Sequence, residues 1–307
     1  FPSSNQSLNI IFLLEGLTKD PTLEAVLFIM FLVIYIFTIF GNGGLIFLII
    51  KIPALHTPMY FFLQHLSFID ICYTSVIIPR TLSNFLAKEK TITLLACAVQ
   101  IQMFFFIFAA STEDTLLPTM AYDRYIAISN PLHYHSIMNN KSCVLLLIAN
   151  WISGCLNSFI LTLAASHLTL CQSNKIKHFF CDVKALQKIA CPDIMFLIII
   201  YAEAIILGLL PFLLSLISYI KIITIILGIK SKTGRRKVFS TCSSHFTVLV
   251  IFYGAAMCMY MRPPSEQSEE FDQVFSLLFV AVTPILNPLI YSLRNKEVKG
   301  ALMRLMG

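Results

Sequence analysis

Charge is scarce in this chain, and that scarcity excludes more than any motif does. Only 12% of its 307 residues are Asp, Glu, Lys or Arg, against 57% hydrophobic, and the mean hydropathy is +0.81. A water-soluble domain cannot hide that much apolar surface, so the chain reads as membrane-embedded. Catalytic signatures are missing as well. There is no His-Glu-x-x-His and no glycine-rich phosphate loop. Ser244 and His245 are neighbours, so they point to different sides of a helix and cannot form a nucleophile–base pair unaided. Internal repeats, which many transporters carry as duplicated halves, are absent too. Residues 1–24 hold no basic-then-apolar leader, so the first apolar run is expected to direct insertion.

What is present is a series of seven apolar runs, at about 25–50, 59–79, 94–122, 143–166, 194–220, 238–261 and 273–293. They predict an all-α membrane protein, a seven-transmembrane helix bundle over residues 25–293. Residues 1–24 form an extracellular N-terminal segment, and 294–307 a cytoplasmic amphipathic helix or tail. In that last stretch Lys296, Lys299 and Arg304 alternate with Val298, Leu302, Met303 and Leu305. The cluster Lys230, Lys232, Arg235, Arg236 and Lys237 places its short loop on the cytoplasmic side. The expected location is therefore a multi-pass plasma-membrane protein with its N-terminus outside and its C-terminus inside. The sequon Asn5-Gln6-Ser7 agrees, marking Asn5 for glycosylation, whereas Asn140-Lys141-Ser142 falls inside and is expected to stay bare. A net charge of +6 then reflects membrane orientation, and nucleic acid is not an expected partner. Of nine cysteines, Cys97, Cys171, Cys181 and Cys191 fall on the oxidising outer side. Disulfides are favoured there over zinc, with three pairings open.

Polar groups inside a span are costly, so each needs a partner or a purpose. Asp70 in the second span and Glu113 in the third fall at nearly the same depth, with Asn42 and Asn287 somewhat lower. Two carboxylates at one depth share a proton, hold a cation such as sodium, or face water. Prolines mark bends: Pro211 in the fifth span, and Pro284 and Pro288 in the seventh, where Asn287 is expected to re-satisfy the freed backbone. The stretch Met120–Ile128, reading MAYDRYIAI, puts Asp123 and Arg124 at the inner end of the third span and looks like an ionic latch. The outer halves carry Phe106, Ile107, Ala110 and Ser111, then Glu203 and Leu207, then Tyr253, Met257 and Tyr260. Such an aromatic and aliphatic lining with few hydroxyls suits a small, mostly apolar ligand.

Several motifs converge on one family. They are Gly41-Asn42, PMYFFL at 58–63, MAYDRYIAI at 120–128, Ser218-Tyr219, KVFSTCSSH at 237–245, FYG at 252–254 and PILNPLIYSLRNKEVKGAL at 284–302. The chain closely resembles the vertebrate olfactory (odorant) receptors, a branch of the rhodopsin-like G-protein-coupled receptors. The resemblance implies that Asp123, Arg124 and Tyr125 form a latch opening toward a G protein, with Tyr219, Asn287, Pro288 and Tyr291 belonging to the same activation switch. It implies a sodium-sensitive centre at Asn42, Asp70 and Glu113, with sodium the one cofactor in view. It implies disulfides Cys97–Cys181 and Cys171–Cys191, odorant contacts at the outer-half residues above, and a stimulatory, olfactory-type G protein that raises cyclic AMP. No enzymatic activity is expected. The chain departs from the family pattern by two extra residues near Gln100–Gln102 and by Pro118, which removes a helix hydrogen bond ahead of Arg124. The competing reading is a proton- or ion-coupled transporter using Asp70 and Glu113.

Overall fold

The computed structural model describes residues 11–14, 17–18, 20–87, 91–93, 101–169, 171, 175–176, 183–260, 276–277, 281, 283–294, 298 and 300. Asn5, Cys97, Cys181 and most of 294–307 lie outside the described residues, as do the side chains of Tyr260 and Tyr291.

The long helices start where the chain supplies caps. Helix α1 (Pro21–Lys51) begins with Pro at the position whose missing N–H costs nothing, and Asp20 accepts from Thr22 N at 2.9 Å. Pro58 likewise opens α2 (Pro58–Leu86), after Thr57 and with no side-chain cap. Helix α3 covers Ile101–Ser129. Asn139 caps α4 (Asn140–Ser166), accepting from Ser142 N at 2.9 Å. Asp193 caps α5 (Ile194–Gly228), accepting from Phe196 N at 3.1 Å. Helices α6 (Lys232–Tyr260) and α7 (Thr283–Arg294) complete the set. Two short helices, Tyr134–Ile137 and Val183–Ile189, lie in loops.

Helix α5 is not regular. Over Ala204–Leu209 it widens into a π turn, just before Pro211. Pro211 has no N–H to offer the turn above it, and a wider turn accommodates that loss. One extra residue per turn rotates the N-terminal part of α5 by about 100° relative to a straight helix.

Helices α1, α2, α4 and α5 are long and apolar enough to cross a membrane. Helix α3 matches α2 in length but carries Glu113, Asp114, Asp123 and Arg124, and α6 begins in the basic cluster. The helices pack as a closed ring. Each meets the next in sequence, and α7 returns to α1; α3 also touches α5 and α6, which makes it the centre. The outer faces of α1, α4 and α5 present Phe37, Phe40, Leu145, Phe159 and Ile198 outward, as a lipid-facing surface does. At one end of the bundle a small sheet gathers three segments. Strand β1 (Ile11–Leu14) pairs antiparallel with β2 (Thr91–Thr93) and parallel with β3 (Lys175–Ile176). A disulfide joins Cys171 to Cys191 in the α4–α5 loop.

The α3–α4 seam is built from small and polar residues. Asn150 donates to Thr119 Oγ1 at 3.2 Å, and Ser158 bonds the Phe104 carbonyl. Between them Gly154 permits close approach. A Cβ added there would meet Thr112 Oγ1 and would sit 2.9 Å from the Phe108 carbonyl oxygen. We therefore expect Gly154→Ala to destabilise the bundle by about 1–3 kcal/mol. The readout is the thermal midpoint of detergent-purified protein, and an unchanged midpoint would contradict this packing.

Candidate functional site

At mid-depth three helices meet around two carboxylates. Asp70 on α2 is fully buried and Glu113 on α3 nearly so. Asn287 on α7 joins them: its Nδ2 donates to Asp70 Oδ2 at 3.0 Å, with Oδ1 at 3.3 Å, and reaches Glu113 Oε1 at 3.4 Å. One amide thus clamps α2, α3 and α7 together. The depth count from sequence places Asp70 and Glu113 side by side, and here they share a partner. Thr74, one turn from Asp70, returns its hydroxyl to the Asp70 carbonyl at 2.7 Å.

The seventh-helix proline is handled differently from the expectation. Pro288 cannot donate to the carbonyl four residues earlier, that of Pro284. Asn42 on α1, not Asn287, fills the gap: its Nδ2 donates to Pro284 O at 3.0 Å. The physical reason is that the Asn287 amide is engaged by the carboxylates. Gly41, beside Asn42, allows the approach, since a Cβ there would sit 3.2 Å from Pro288 Cγ. Pro118 repeats the pattern in α3. Its lost bond frees the Asp114 carbonyl, and Tyr253 on α6 donates to that oxygen at 2.8 Å. Helix α3 therefore continues through Pro118 as far as Ser129.

Toward the C-terminal end of α3, Asp123 and Arg124 sit more than a turn inside the helix rather than at its terminus. Asp123 is fully buried; Arg124 Nε lies 3.6 Å from its Oδ2, and Tyr134 from the short loop helix donates to its Oδ1 at 2.7 Å. Burial, and then the Asp123 carboxylate, push the Tyr134 hydroxyl above the usual tyrosine range, so it stays a protonated donor. Tyr219 on α5 is buried with its hydroxyl 2.7 Å from His245 Nδ1 and 3.3 Å from the Cys242 carbonyl. Accepting from Nδ1–H while donating to that carbonyl satisfies both contacts. Lys221 Nζ stands 5.3 Å over the ring of Tyr125.

The outer-half candidates divide. Phe106 and Ile107 are buried, and Phe106 packs on Tyr73 with centroids 5.3 Å apart. Tyr253 is also buried, edge-on to Phe212 at 5.4 Å. Ala110, Leu207 and Met257 are half-buried. Ser111 and Glu203 are drawn together by Asn157 on α4, whose Nδ2 donates to Ser111 Oγ at 2.9 Å and to Glu203 Oε1 at 3.0 Å.

Residues 31–307 match the family model described as "Olfactory receptor". Among similar proteins, human "Olfactory receptor 2K2" is 47% identical over 298 residues, 97% of this chain and 93% of that one. Human "Olfactory receptor 13C9" is 45% identical over 310 residues, 98% and 96% of the two chains. "Olfactory receptor 5G9" of Mus musculus is 46% identical over 296 residues, 95% and 93%. The chain belongs to the olfactory receptor family. It is a receptor and not an enzyme, and the family favours that reading over an ion-coupled transporter.

For this olfactory receptor the sequence reading passed over Tyr134, Asn150 and Asn157. Asn150 and Asn157 are seven apart and so share one face of α4. Two amides in an apolar span were signal enough that α4 binds something polar. Tyr134 carried no such signal, because a loop tyrosine costs nothing until the fold buries it.

The proline pairing yields a test. Tyr253→Phe strips the Asp114 carbonyl of its partner, a loss of about 1–3 kcal/mol for a buried acceptor. Pro118→Ala restores a backbone N–H to the same oxygen, so in that background Tyr253→Phe should cost much less. Thermal midpoints of the four proteins give the coupling, and additive losses would contradict the pairing.

Proposed function

We propose that this protein is a plasma-membrane odorant receptor of seven spans, N-terminus outside, with a short amphipathic C-terminal helix. It binds a small, mostly apolar ligand in the outer half of the bundle and activates a stimulatory, olfactory-type G protein to raise cyclic AMP. The observation that carries this reading is the separation of polar from apolar groups along α3. Its inner end holds the Asp123–Arg124–Tyr134 cluster, while its outer run is Met103-Phe104-Phe105-Phe106-Ile107-Phe108. Ligand acts only through better affinity for the open bundle than for the closed one. In the closed form Tyr134 holds Asp123; in the open form Arg124 turns to the G protein, with Tyr125, Tyr219 and Tyr291 lining the inner mouth. Asn287 and Pro288 form the hinge between the mid-depth centre and that mouth. Phe106, Ile107, Ala110, Ser111, Glu203, Leu207, Tyr253, Met257 and Tyr260 line the ligand site. Glycosylation at Asn5 and a Cys97–Cys181 disulfide belong to the same reading.

A sodium ion suits the mid-depth donor set. Ser67 Oγ and Asn287 Oδ1 are buried without a hydrogen-bond partner among the described residues, close in sequence or contact to Asp70 and Glu113. An all-oxygen set with two carboxylates fits a hard cation. Bound there, the ion supplies positive charge that offsets the carboxylates; Asp70, Glu113, Asn287 and Asn42 hold the helices around it.

The test is expression in cells that supply the olfactory G protein, with surface display confirmed and cyclic AMP read across a broad odorant panel. A few compounds should raise cyclic AMP, and Arg124→Ala should abolish the rise. Tyr134→Phe should raise basal cyclic AMP by loosening Asp123. Silence across the panel at normal surface display would overturn the reading.

A further inference from the structure

The Ser111–Asn157–Glu203 cluster ties α3, α4 and α5 together at one point of the outer half. Its chemistry is unevenly divided. The Asn157 amide nitrogen is engaged with two acceptors, Ser111 Oγ and Glu203 Oε1, whereas Asn157 Oδ1 makes no hydrogen bond among the described residues. Glu203 adds a carboxylate. What the cluster offers a newcomer is therefore mainly acceptor oxygen. An apolar wall borders it: Ile107 lies one turn outward on the same face of α3, and Ala110 adjoins Ser111.

A second, independent feature puts Glu203 there. It is the last residue before the π turn Ala204–Leu209, which Pro211 follows. Without the wide turn the outer segment of α5 would be rotated by about 100°, and the carboxylate would leave Asn157. Wide turns of this kind recur at functional sites.

We propose that this cluster is the specificity-determining subsite of the ligand pocket, and that the ligand is a small apolar molecule with a hydrogen-bond-donating head, a hydroxyl or an amine. The proposal rests on the receptor reading given above. A hydroxyl donates to Glu203 or Asn157 Oδ1 and also accepts from Ser111; an amine donates to both oxygens. An aldehyde, ketone or ester can accept from Ser111 but brings no donor for Glu203 or Asn157 Oδ1, and so leaves those oxygens unmatched, which a desolvated site disfavours. Asn157 is a positioning residue that aims Glu203 and contributes its own carbonyl.

The experiment uses the full-length receptor at the cell surface, cyclic AMP as readout, and straight-chain alcohols, amines and aldehydes matched in carbon count. Alcohols or amines should act at concentrations about ten-fold or more below their aldehydes. Glu203→Leu should erase that preference by raising the donor half-maximal concentrations about ten-fold or more, while the aldehydes, no longer facing the carboxylate, act at the same or lower concentrations. Glu203→Gln keeps an acceptor without charge: a selective loss of amines identifies the amine as the preferred head, and retained alcohol response identifies the hydroxyl. Equal potency of all three classes in the wild type would overturn the proposal. So would equal losses for all three in Glu203→Leu and Asn157→Leu, which would make the cluster a helix clamp only. Silence of the wild type to every compound on the broad panel would instead overturn the receptor reading beneath it.

Discussion

A backbone carbonyl deprived of its helix partner inside an apolar bundle has no water to turn to, and much of this molecule follows from that constraint. Prolines at 118 and 288 each free one carbonyl, and in both cases a neighbouring helix supplies the missing donor. The donors are side chains, Asn42 and Tyr253, so every repair is also a contact between helices. Proline here does not simply bend a helix; it specifies which helix must stand next to it. Helix α1 is fixed to α7 and α6 to α3 by this means.

The same demand organises the charged groups. Asp70 and Glu113 face each other across α2 and α3, and a single amide from α7 serves both. Asp123 is held by the adjacent Arg124 and by a loop tyrosine. Glu203 is reached by an amide from α4. Each acid therefore sits at a junction of helices. A ligand or a G protein that alters one junction acts on two or three helices together, which is how a local change in contacts becomes a change of the bundle.

Much of this was legible in the sequence, and what was not has a physical cause. Apolar runs and short charged loops announce helices in a membrane, because length and hydropathy alone decide that. The depth of Asp70 and Glu113 followed from counting residues along ideal helices. Contacts between helices did not follow from counting. Asn287 sits beside Pro288 and was the natural candidate for its freed carbonyl, yet the carboxylates occupy it and Asn42, 242 positions away from Pro284, takes the role. The π turn in α5 was equally hidden: Pro211 announces an irregularity, but only the fold shows that it is taken up as a wide turn that aims Glu203 at α4. Tyr253 was visible as an aromatic of the outer half, while its bond to Asp114 depends on a proline in another helix.

The most direct measurement is a double-mutant cycle on Asn42 and Pro288, read as the thermal midpoint of the purified receptor. Asn42→Ala should lower the midpoint markedly in the wild-type background. In Pro288→Ala, where the restored N–H reaches the Pro284 carbonyl from within α7, the same substitution should cost far less. An equal loss in both backgrounds would contradict the claim that neighbouring side chains replace the hydrogen bonds that proline removes.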